Sequence, residues 1–405
     1  MVKKATRISR FVAAVEDRPV FVGLDVHKKT YSVALFEPED GLIETYTCPS
    51  GEAKLADQFC GLGCRIAHVV YESGPTGFAL ARALEAAGFA VSVIAASRIP
   101  RMSAASAKTD RLDAEKLASY FARGLLRPIA IPTVEQEGYR ALVRRRKRIA
   151  EARGKIKQKI KGFLLVTGIG EPVSLRAWSV AASDDLNRLP LPSEHRMALS
   201  SMVREYLFLL DEDRQLRAQI RAATRRMHPE RYARLTSVIG VGETVATNFL
   251  AELFSPDRFN RPEEVTSYLG LAPVVSQSGG GPARSKLRRV GQRRLRGILV
   301  EAAWQWTWRD PEAKALYNHH IAKTGIAQKA ICAVARKLAI RLWRMTVETP
   351  HAPMEGAASG VRSGKPTTKK GGTLINRCVP KTVLGADAFT AQARIRKGLR
   401  EPVTA

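Results

Sequence analysis

The sequence predicts an α/β domain followed by a mainly helical region. From Val20 to about residue 123, short apolar runs alternate with longer amphipathic stretches, which is typical of strands and helices in one domain. After Pro132 the apolar residues recur at helical spacing over much longer stretches. With 405 residues, of which 45% are hydrophobic, the chain can build cores for two or three domains.

The α/β part contains five predicted strands and three predicted helices. The strands are VFVGLDV (20–26), TYSVALF (30–36), LIETYT (42–47), HVVYE (68–72) and AVSVIA (90–95), and the helices cover about 51–60, 77–88 and 110–123. Three adjacent strands followed by alternating helices and strands indicate a mixed sheet. This is the element order of the RNase H-like fold, and order alone also permits other α/β domains.

A heptad pattern follows in the helical region. Leu142, Ile149, Ile156 and Phe163 recur every seven residues, which predicts a coiled-coil helix. A second stripe of Leu209, Leu216, Ile220, Ala223 and Met227 provides a partner helix. The two helices can pair within one chain or between protomers, and we favour a contact between protomers.

From about Leu235 a compact helical unit begins with SVIGVGETVATNFLAEL. Its Gly-Val-Gly turn resembles a helix-hairpin-helix that binds a phosphate, and an ordinary helix connection explains it equally well. We therefore expect an N-terminal arm (1–19), the α/β domain (20–132), a helical coiled-coil region (133–230), a C-terminal domain (231–350) and a disordered basic tail (351–405).

The charge of the chain points to a polyanionic partner. The formal net charge is +28 and the isoelectric point is about 10.3, so nucleic acid is the first candidate. A membrane surface is the competing polyanion, but no apolar run approaches the roughly 20 residues of a spanning helix and no signal peptide is evident. We expect a cytoplasmic, nucleoid-associated protein that does not bind membranes. The five scattered cysteines predict free thiols.

Two segments concentrate this charge. Between Arg144 and Lys161 there are ten Lys or Arg and one acid, and between Arg284 and Arg296 there are seven Lys or Arg and no acid. Phosphate contact is the natural use of such density, and a solvated face is the alternative. The predicted nucleic-acid-binding residues are Arg144, Arg145, Arg146, Lys147, Arg148, Arg284, Lys286, Arg288, Arg289, Arg293, Arg294 and Arg296.

Four carboxylates in the α/β part form a candidate metal site. Asp25 ends the first apolar strand, Glu72 ends HVVYE, and Asp110 and Asp113 lie three residues apart on one helix face. If they converge, their mutual repulsion calls for a divalent cation with oxygen ligands, Mg²⁺ or Mn²⁺. Two such ions can activate the attacking oxygen and stabilise the leaving oxygen at a phosphodiester. Taken singly, each acid can instead be a turn or helix-cap residue.

Three of these segments carry a family resemblance. VGLDVHKKTYSVALF, VVYESGPTGF and AASAKTDRLDAEKLA resemble the nuclease motifs of the IS-one-ten family of insertion-sequence transposases, the DEDD recombinases. YLGLAPVVSQSG, the basic segment after it, Gly291 and LRGILVEAAW resemble the second domain of that family. The resemblance covers roughly residues 20 to 345. Phe78 and Gln292 stand where the family often has tyrosine and asparagine, and neither touches a proposed catalytic group.

This resemblance implies a function and a site. It implies a RuvC-like nuclease domain in which Asp25, Glu72, Asp110 and Asp113 bind metal, and it implies Ser278 as the nucleophile that forms a phosphoserine intermediate with DNA. It also implies a non-coding bridge RNA that pairs with target and donor DNA, and a homodimer or homotetramer in which domains of different protomers meet. From the residues alone, Ser278 is equally typical of a flexible loop.

Two other functions remain open from the sequence. A junction resolvase or nuclease would use the carboxylates with metal-activated water and would not need Ser278. A nucleic-acid-binding relic would have lost catalysis and would keep binding alone.

Overall fold

The computed structural model describes residues 2–100, 110–276, 284–287 and 291–347. Contacts divide this chain into a first unit that ends at Ile131 and a second that begins at Pro132, called here the sheet unit and the helical unit. Among the helices in these ranges, none combines the length and apolar character that a membrane crossing requires.

The sheet unit contains a five-stranded mixed sheet. Its strands are β1 (Val20–Val26), β2 (Thr30–Phe36), β3 (Ile43–Pro49), β4 (Ile66–Glu72) and β5 (Val91–Ile94), arranged in the order β3-β2-β1-β4-β5. The pairs β1–β2 and β2–β3 are antiparallel, whereas β1–β4 and β4–β5 are parallel. The predicted mixed sheet is therefore confirmed. It places β1, the most central strand, between β2 and β4.

Four α-helices accompany the sheet within the described residues. They are α1 (Val2–Val15), α2 (Glu52–Cys60), α3 (Ala79–Ala86) and α4 (Asp110–Ala122). The last three confirm the predicted helices. The segment expected to be an N-terminal arm contains α1, and the side chains of Phe11 and Val15 are buried in the core of the sheet unit. Apolar residues at these positions let the helix pack against the domain.

The two faces of the sheet have different cores. Val20, Val22 and Leu24 of β1 share a core with residues of α2 and α3. On the opposite face, Val70 of β4 packs with Leu117 of α4. Because side chains alternate along a strand, Phe21, Gly23 and Asp25 belong to the face that α4 covers. The strand thus delivers Asp25 to the α4 side.

The helical unit contains nine α-helices and one short hairpin within the described ranges. They are α5 (Val134–Val166), α6 (Val180–Asn187), α7 (Ser193–Met227), α8 (Pro229–Thr236), α9 (Glu243–Leu253), α10 (Pro262–Tyr268), the antiparallel strands β6 (Pro273–Ser276) and β7 (Arg284–Leu287), α11 (Arg293–Arg309), α12 (Pro311–Thr324) and α13 (Ala327–Val347).

The long helices α5 and α7 pack against each other within one chain. Ile149 and Ile156 of α5 share a core with Leu209 and Leu216 of α7. Intramolecular pairing, the first of the two alternatives for these stripes, therefore accounts for their burial. A contact between protomers stays a prediction.

A second core joins the N-terminal part of α5 and the C-terminal part of α7 to the helices α8 to α13. The Gly-Val-Gly turn between α8 and α9 belongs to it. Gly240 has φ +85°, and a Cβ there would lie 2.9 Å from the backbone nitrogen of Trp306. This glycine is therefore explained by close packing against α11, which favours the ordinary helix connection at that position.

Candidate active site

The approach of α4 to β1 sets the geometry of the site. A Cβ on Gly23 would lie 2.0 Å from the carbonyl oxygen of Ala114 and 2.7 Å from the backbone nitrogen of Ala118. Only glycine allows the helix backbone to come this close to the strand. Asp110, Ala114 and Ala118 lie four residues apart on one stripe of α4, so Asp110 lies on the side of the helix that meets the sheet.

Asp25 and Asp110 meet at a histidine. The Nε2 atom of His27 lies 3.2 Å from Oδ2 of Asp25 and 3.3 Å from Oδ2 of Asp110. One ligand atom from each of the three side chains fits within 4.8 Å. The structure thus brings together the first and third of the four predicted carboxylates, and His27 joins them.

Asp25 is in an unfavourable electrostatic position. Burial raises its pKa, and the charges of Asp110 and Asp113 raise the pKa further, whereas the charge and hydrogen bond of His27 lower it. The net result is a pKa above the usual value of an aspartate. A bound cation would relieve this repulsion between carboxylates.

The other two carboxylates are close by in the fold. The last printed pair of the β1–β4 ladder joins Leu24 to Tyr71, and the next residues of the two strands are Asp25 and Glu72. Adjacent strands lie about 4.8 Å apart, so both acids end neighbouring strands on the α4 side. Asp113 acts on the pKa of Asp25 and lies 3.7 Å from Nζ of Lys116. Neither Glu72 nor Asp113 is in the cluster around His27.

The donor set fits a divalent cation. Carboxylate oxygens are the ligands that Mg²⁺ prefers, and Mn²⁺ also accepts an imidazole nitrogen. Asp25, Asp110 and His27 offer two oxygens and one nitrogen on a partly exposed edge, which leaves room for substrate oxygens.

Two residues at the candidate site received too little weight from the sequence. His27 was not among the predicted site residues, yet its Nε2 lies within 3.3 Å of both carboxylates. Gly23 was not singled out, although a glycine inside an apolar strand is a signal that another backbone approaches closely. Both lie within two residues of Asp25, so a closer examination of VGLDVH would have found them.

Ser278 lies outside the described residues, between β6 and β7. The residues just before β6 and just after β7 contact each other through two glycines. A Cβ on Gly291, which has φ +96°, would lie 2.6 Å from the backbone nitrogen of Gly270, and the Gln292 amide donates to the Tyr268 carbonyl oxygen at 2.9 Å. The residues that precede β6 and those that follow β7 therefore lie next to each other, beside the core residues Leu269 and Leu271.

The predicted nucleic-acid-binding residues divide into two groups. Arg144 donates to both carboxylate oxygens of the buried Glu252, at 2.8 and 2.6 Å, and Arg146 donates to the buried Asp213 at 3.1 Å. These two arginines stabilise the fold. Arg145 and Arg148 are exposed.

In the second basic segment, Arg296 donates to the carbonyl oxygen of Gly270 at 3.2 Å, and Arg293 is exposed and Arg294 half-buried at the start of α11. Arg288 and Arg289 lie outside the described residues, as does the predicted tail. For Arg284 and Lys286 the backbone alone is described, in β7.

Comparisons with known proteins agree with this architecture. Residues 22–168 match the family DEDD_Tnp_IS110, which is described as a transposase, and residues 232–318 match the Transposase IS116/IS110/IS902 family. A putative transposase, y4qE, of Sinorhizobium fredii is 29% identical over 301 residues, which are 73% of this chain and 74% of that protein. The transposase for insertion sequence element IS1533 of Leptospira borgpetersenii is 26% identical over 341 residues, which are 80% of this chain and 95% of that protein.

The first matched region runs from within β1 through the rest of the sheet unit and all of α5, and the second runs from within α8 to within α12. Together, the fold and the comparisons define the class of this protein as an insertion-sequence transposase. The chain belongs to the IS110 family of these transposases. The predicted family is thereby confirmed, and with it the expectation of DNA as substrate.

Proposed function

We propose that this transposase cuts and rejoins DNA in a metal-dependent reaction with Ser278 as the nucleophile. The observation that carries the proposal is the convergence of Asp25 and Asp110 on one point beside His27, at the end of β1. Acids gathered in this way at a sheet edge are suited to phosphodiester chemistry with divalent cations.

Asp25 and Asp110 would hold Mg²⁺ or Mn²⁺, with Glu72 and Asp113 completing the ligand set as the acids of the DEDD motif. When bound, the metal polarises the phosphodiester and lowers the pKa of a coordinated hydroxyl. His27 would offer its Nε2 nitrogen as a further ligand, because this atom lies 3.2 Å from Oδ2 of Asp25 and 3.3 Å from Oδ2 of Asp110. The close packing at Gly23 fixes α4, and therefore Asp110, against β1.

In the cleavage step, the Ser278 hydroxyl oxygen forms a bond to phosphorus as the bond to the leaving DNA oxygen breaks. The serine proton is lost, and the leaving oxygen gains a proton. A hydroxyl of a second DNA end then attacks the phosphoserine, which restores the serine and forms the new phosphodiester. The number of phosphoester bonds is conserved, so strand rejoining needs no external energy source.

A non-coding guide RNA and a homodimer or homotetramer complete the proposal. Exposed cations such as Arg145 and Arg148 on α5 and Arg293 on α11 support contact with a nucleic-acid backbone. Such contacts carry no sequence information, which agrees with target choice by base pairing to an RNA.

The test uses a nicked DNA substrate, from which the cleaved end dissociates. Because this end is then absent, rejoining cannot occur and the covalent intermediate accumulates. With Mg²⁺, the wild-type protein is expected to form a covalent DNA adduct that survives denaturing electrophoresis. Ser278→Ala should abolish the adduct, and Asp25→Asn should reduce cleavage by at least about 100-fold. The matched controls are Ser276→Ala in the same segment and Asp57→Asn on the exposed face of α2, and both should keep activity.

The same assay separates the two other functions. If Ser278→Ala cleaves at the wild-type rate without an adduct, the chain is a nuclease that uses water. If the wild-type and Asp25→Asn proteins bind DNA equally well and do not differ in any cleavage activity, the site is a relic. Either result contradicts the proposal.

A further inference from the structure

The hairpin formed by α12 and α13 is strongly basic. Between Pro311 and Val347 there are seven Lys or Arg and one acid, Glu312. No residue of this hairpin was among the nucleic-acid-binding residues expected from the sequence, and α13 lies beyond both regions that match the transposase families. Its charge therefore has no assigned role.

The two sides of α13 differ sharply. Residues that include Ile331, Val334, Leu338 and Leu342 are buried in the core of the helical unit. The exposed residues of the helix include four cations and no acid: Lys329, Lys337, Arg341 and Arg344. The helix is thus anchored through one side and presents cations on the other, because its apolar residues recur at helical spacing.

Three of these cations line a groove between α10 and α13. Lys337, Arg341 and Arg344 share it with Ile340, Met345 and Glu263, and its volume is about 510 Å³. Within the described part of the chain, none of the three cations forms an ion pair within 4 Å. Arg341 lies over the ring of Trp306 and its charge acts to lower the pKa of Asp310, and Glu263 lines the groove. The balance of charge in the groove remains positive.

The positive surface continues onto α12. His320 has a lowered pKa, first because it is partly buried and then because of the charges of His319, Arg336, Lys323 and Lys337. Cations from both helices therefore lie close enough to disfavour one more positive charge. Such a concentration of like charge is costly unless an anion binds there.

We propose that this surface, defined by Lys323, Arg336, Lys337, Arg341 and Arg344, binds the phosphate backbone of duplex DNA. The chain is a transposase, so duplex DNA is the polyanion that it must hold. Lys337 and Arg344 are separated by roughly 10 Å along the helix, which spans about three phosphate steps of one DNA strand. The surface would position DNA without reading its sequence, and this role is independent of the serine and of the metal.

The experiment measures the affinity of the full-length protein for a short duplex of arbitrary sequence over a range of salt concentrations. Each phosphate contact contributes about 0.9 to the slope of log K against log salt concentration. The variant Lys337→Gln/Arg341→Gln/Arg344→Gln should therefore lower the slope by about 2.7. A second variant, Lys337→Gln/Arg344→Gln, keeps Arg341 on Trp306 and should lower it by about 1.8.

The matched control removes three exposed cations from the sheet unit, with Arg10→Gln/Lys54→Gln/Arg65→Gln, and should leave the slope nearly unchanged. An unchanged slope in both α13 variants would overturn the proposal. So would an equal decrease in the control, because the effect would then come from net charge alone. A duplex RNA of equal length serves as the second ligand, and a loss confined to RNA would contradict the assignment to DNA.

Discussion

Replacing Gly23 with alanine is expected to disturb the site without touching a carboxylate. The added Cβ would lie 2.0 Å from the Ala114 carbonyl oxygen, whereas ordinary contacts begin at 3.4 Å. This oxygen and the second clashing atom, the backbone nitrogen of Ala118, both belong to the backbone of α4. No side chain can therefore rotate out of the way. The helix must move away from β1 by roughly 1 Å, since overpacked cores respond by backbone shifts.

This movement has two measurable consequences. Overpacking of this kind lowers the free energy of unfolding by about 1 to 3 kcal/mol. Because Asp110 moves with α4 while Asp25 stays on β1, the distance between these ligands changes by several times the roughly 0.2 Å that a metal site tolerates. We expect the affinity for Mn²⁺ to fall by about 10-fold or more, in line with the loss seen when ligand geometry is perturbed.

Urea denaturation measures the first effect, and calorimetric titration with Mn²⁺ measures the second. The control is Gly61→Ala, where the nearest atom to an added Cβ is 3.6 Å away and both quantities should stay near those of the wild type. If Gly23→Ala shows wild-type stability and wild-type Mn²⁺ affinity, the close approach of α4 to β1 does not set the site geometry.

Three further predictions concern the helical unit. Asp213→Ala should lower the free energy of unfolding by about 3 to 5 kcal/mol, because the buried carboxylate accepts from Arg146, Arg153 and Arg217, whereas Glu212→Ala should change it by less than about 0.5 kcal/mol. Glu252→Gln, which loses the charge held by Arg144, should cost about 1.5 to 3 kcal/mol in urea denaturation. Burial raises the pKa of Tyr139 to about 12. The protonated Tyr139 side chain should therefore contribute fully to the free energy of unfolding below pH 10, and this contribution should be lost as the pH rises to 12. Tyr139→Phe should flatten that part of the pH profile, and an unchanged profile would contradict the assignment.

Much of the fold follows from local patterns. The strands VFVGLDV and TYSVALF were predicted with the bounds that the structure has, because β-branched and apolar residues mark buried strands. The helix α1 was missed, since its polar start resembles a disordered arm and only its packing against the sheet buries Phe11 and Val15. The pairing of α5 with α7 was foreseen as one of two alternatives, because a heptad stripe does not specify which copy of the chain provides its partner.

The site was predictable in part for similar reasons. Strand ends and helical spacing indicated that Asp25 and Asp110 converge, because those rules depend on backbone geometry alone. The contacts of His27 with both acids depend on a side-chain rotamer and on the distance that Gly23 allows, which no local pattern specifies. Likewise, ten cations on α5 looked equivalent in the sequence, yet buried acids distant in the chain, Glu252 and Asp213, engage Arg144 and Arg146.

The most direct test of a divalent cation at the end of β1 is the anomalous scattering of manganese in crystals grown with Mn²⁺. We expect a strong anomalous peak within coordination distance of Asp25 and Asp110, and its loss in the Asp25→Asn protein. A crystal of the folded wild-type protein with Mn²⁺ bound elsewhere, or with no peak between these two acids, would contradict the account.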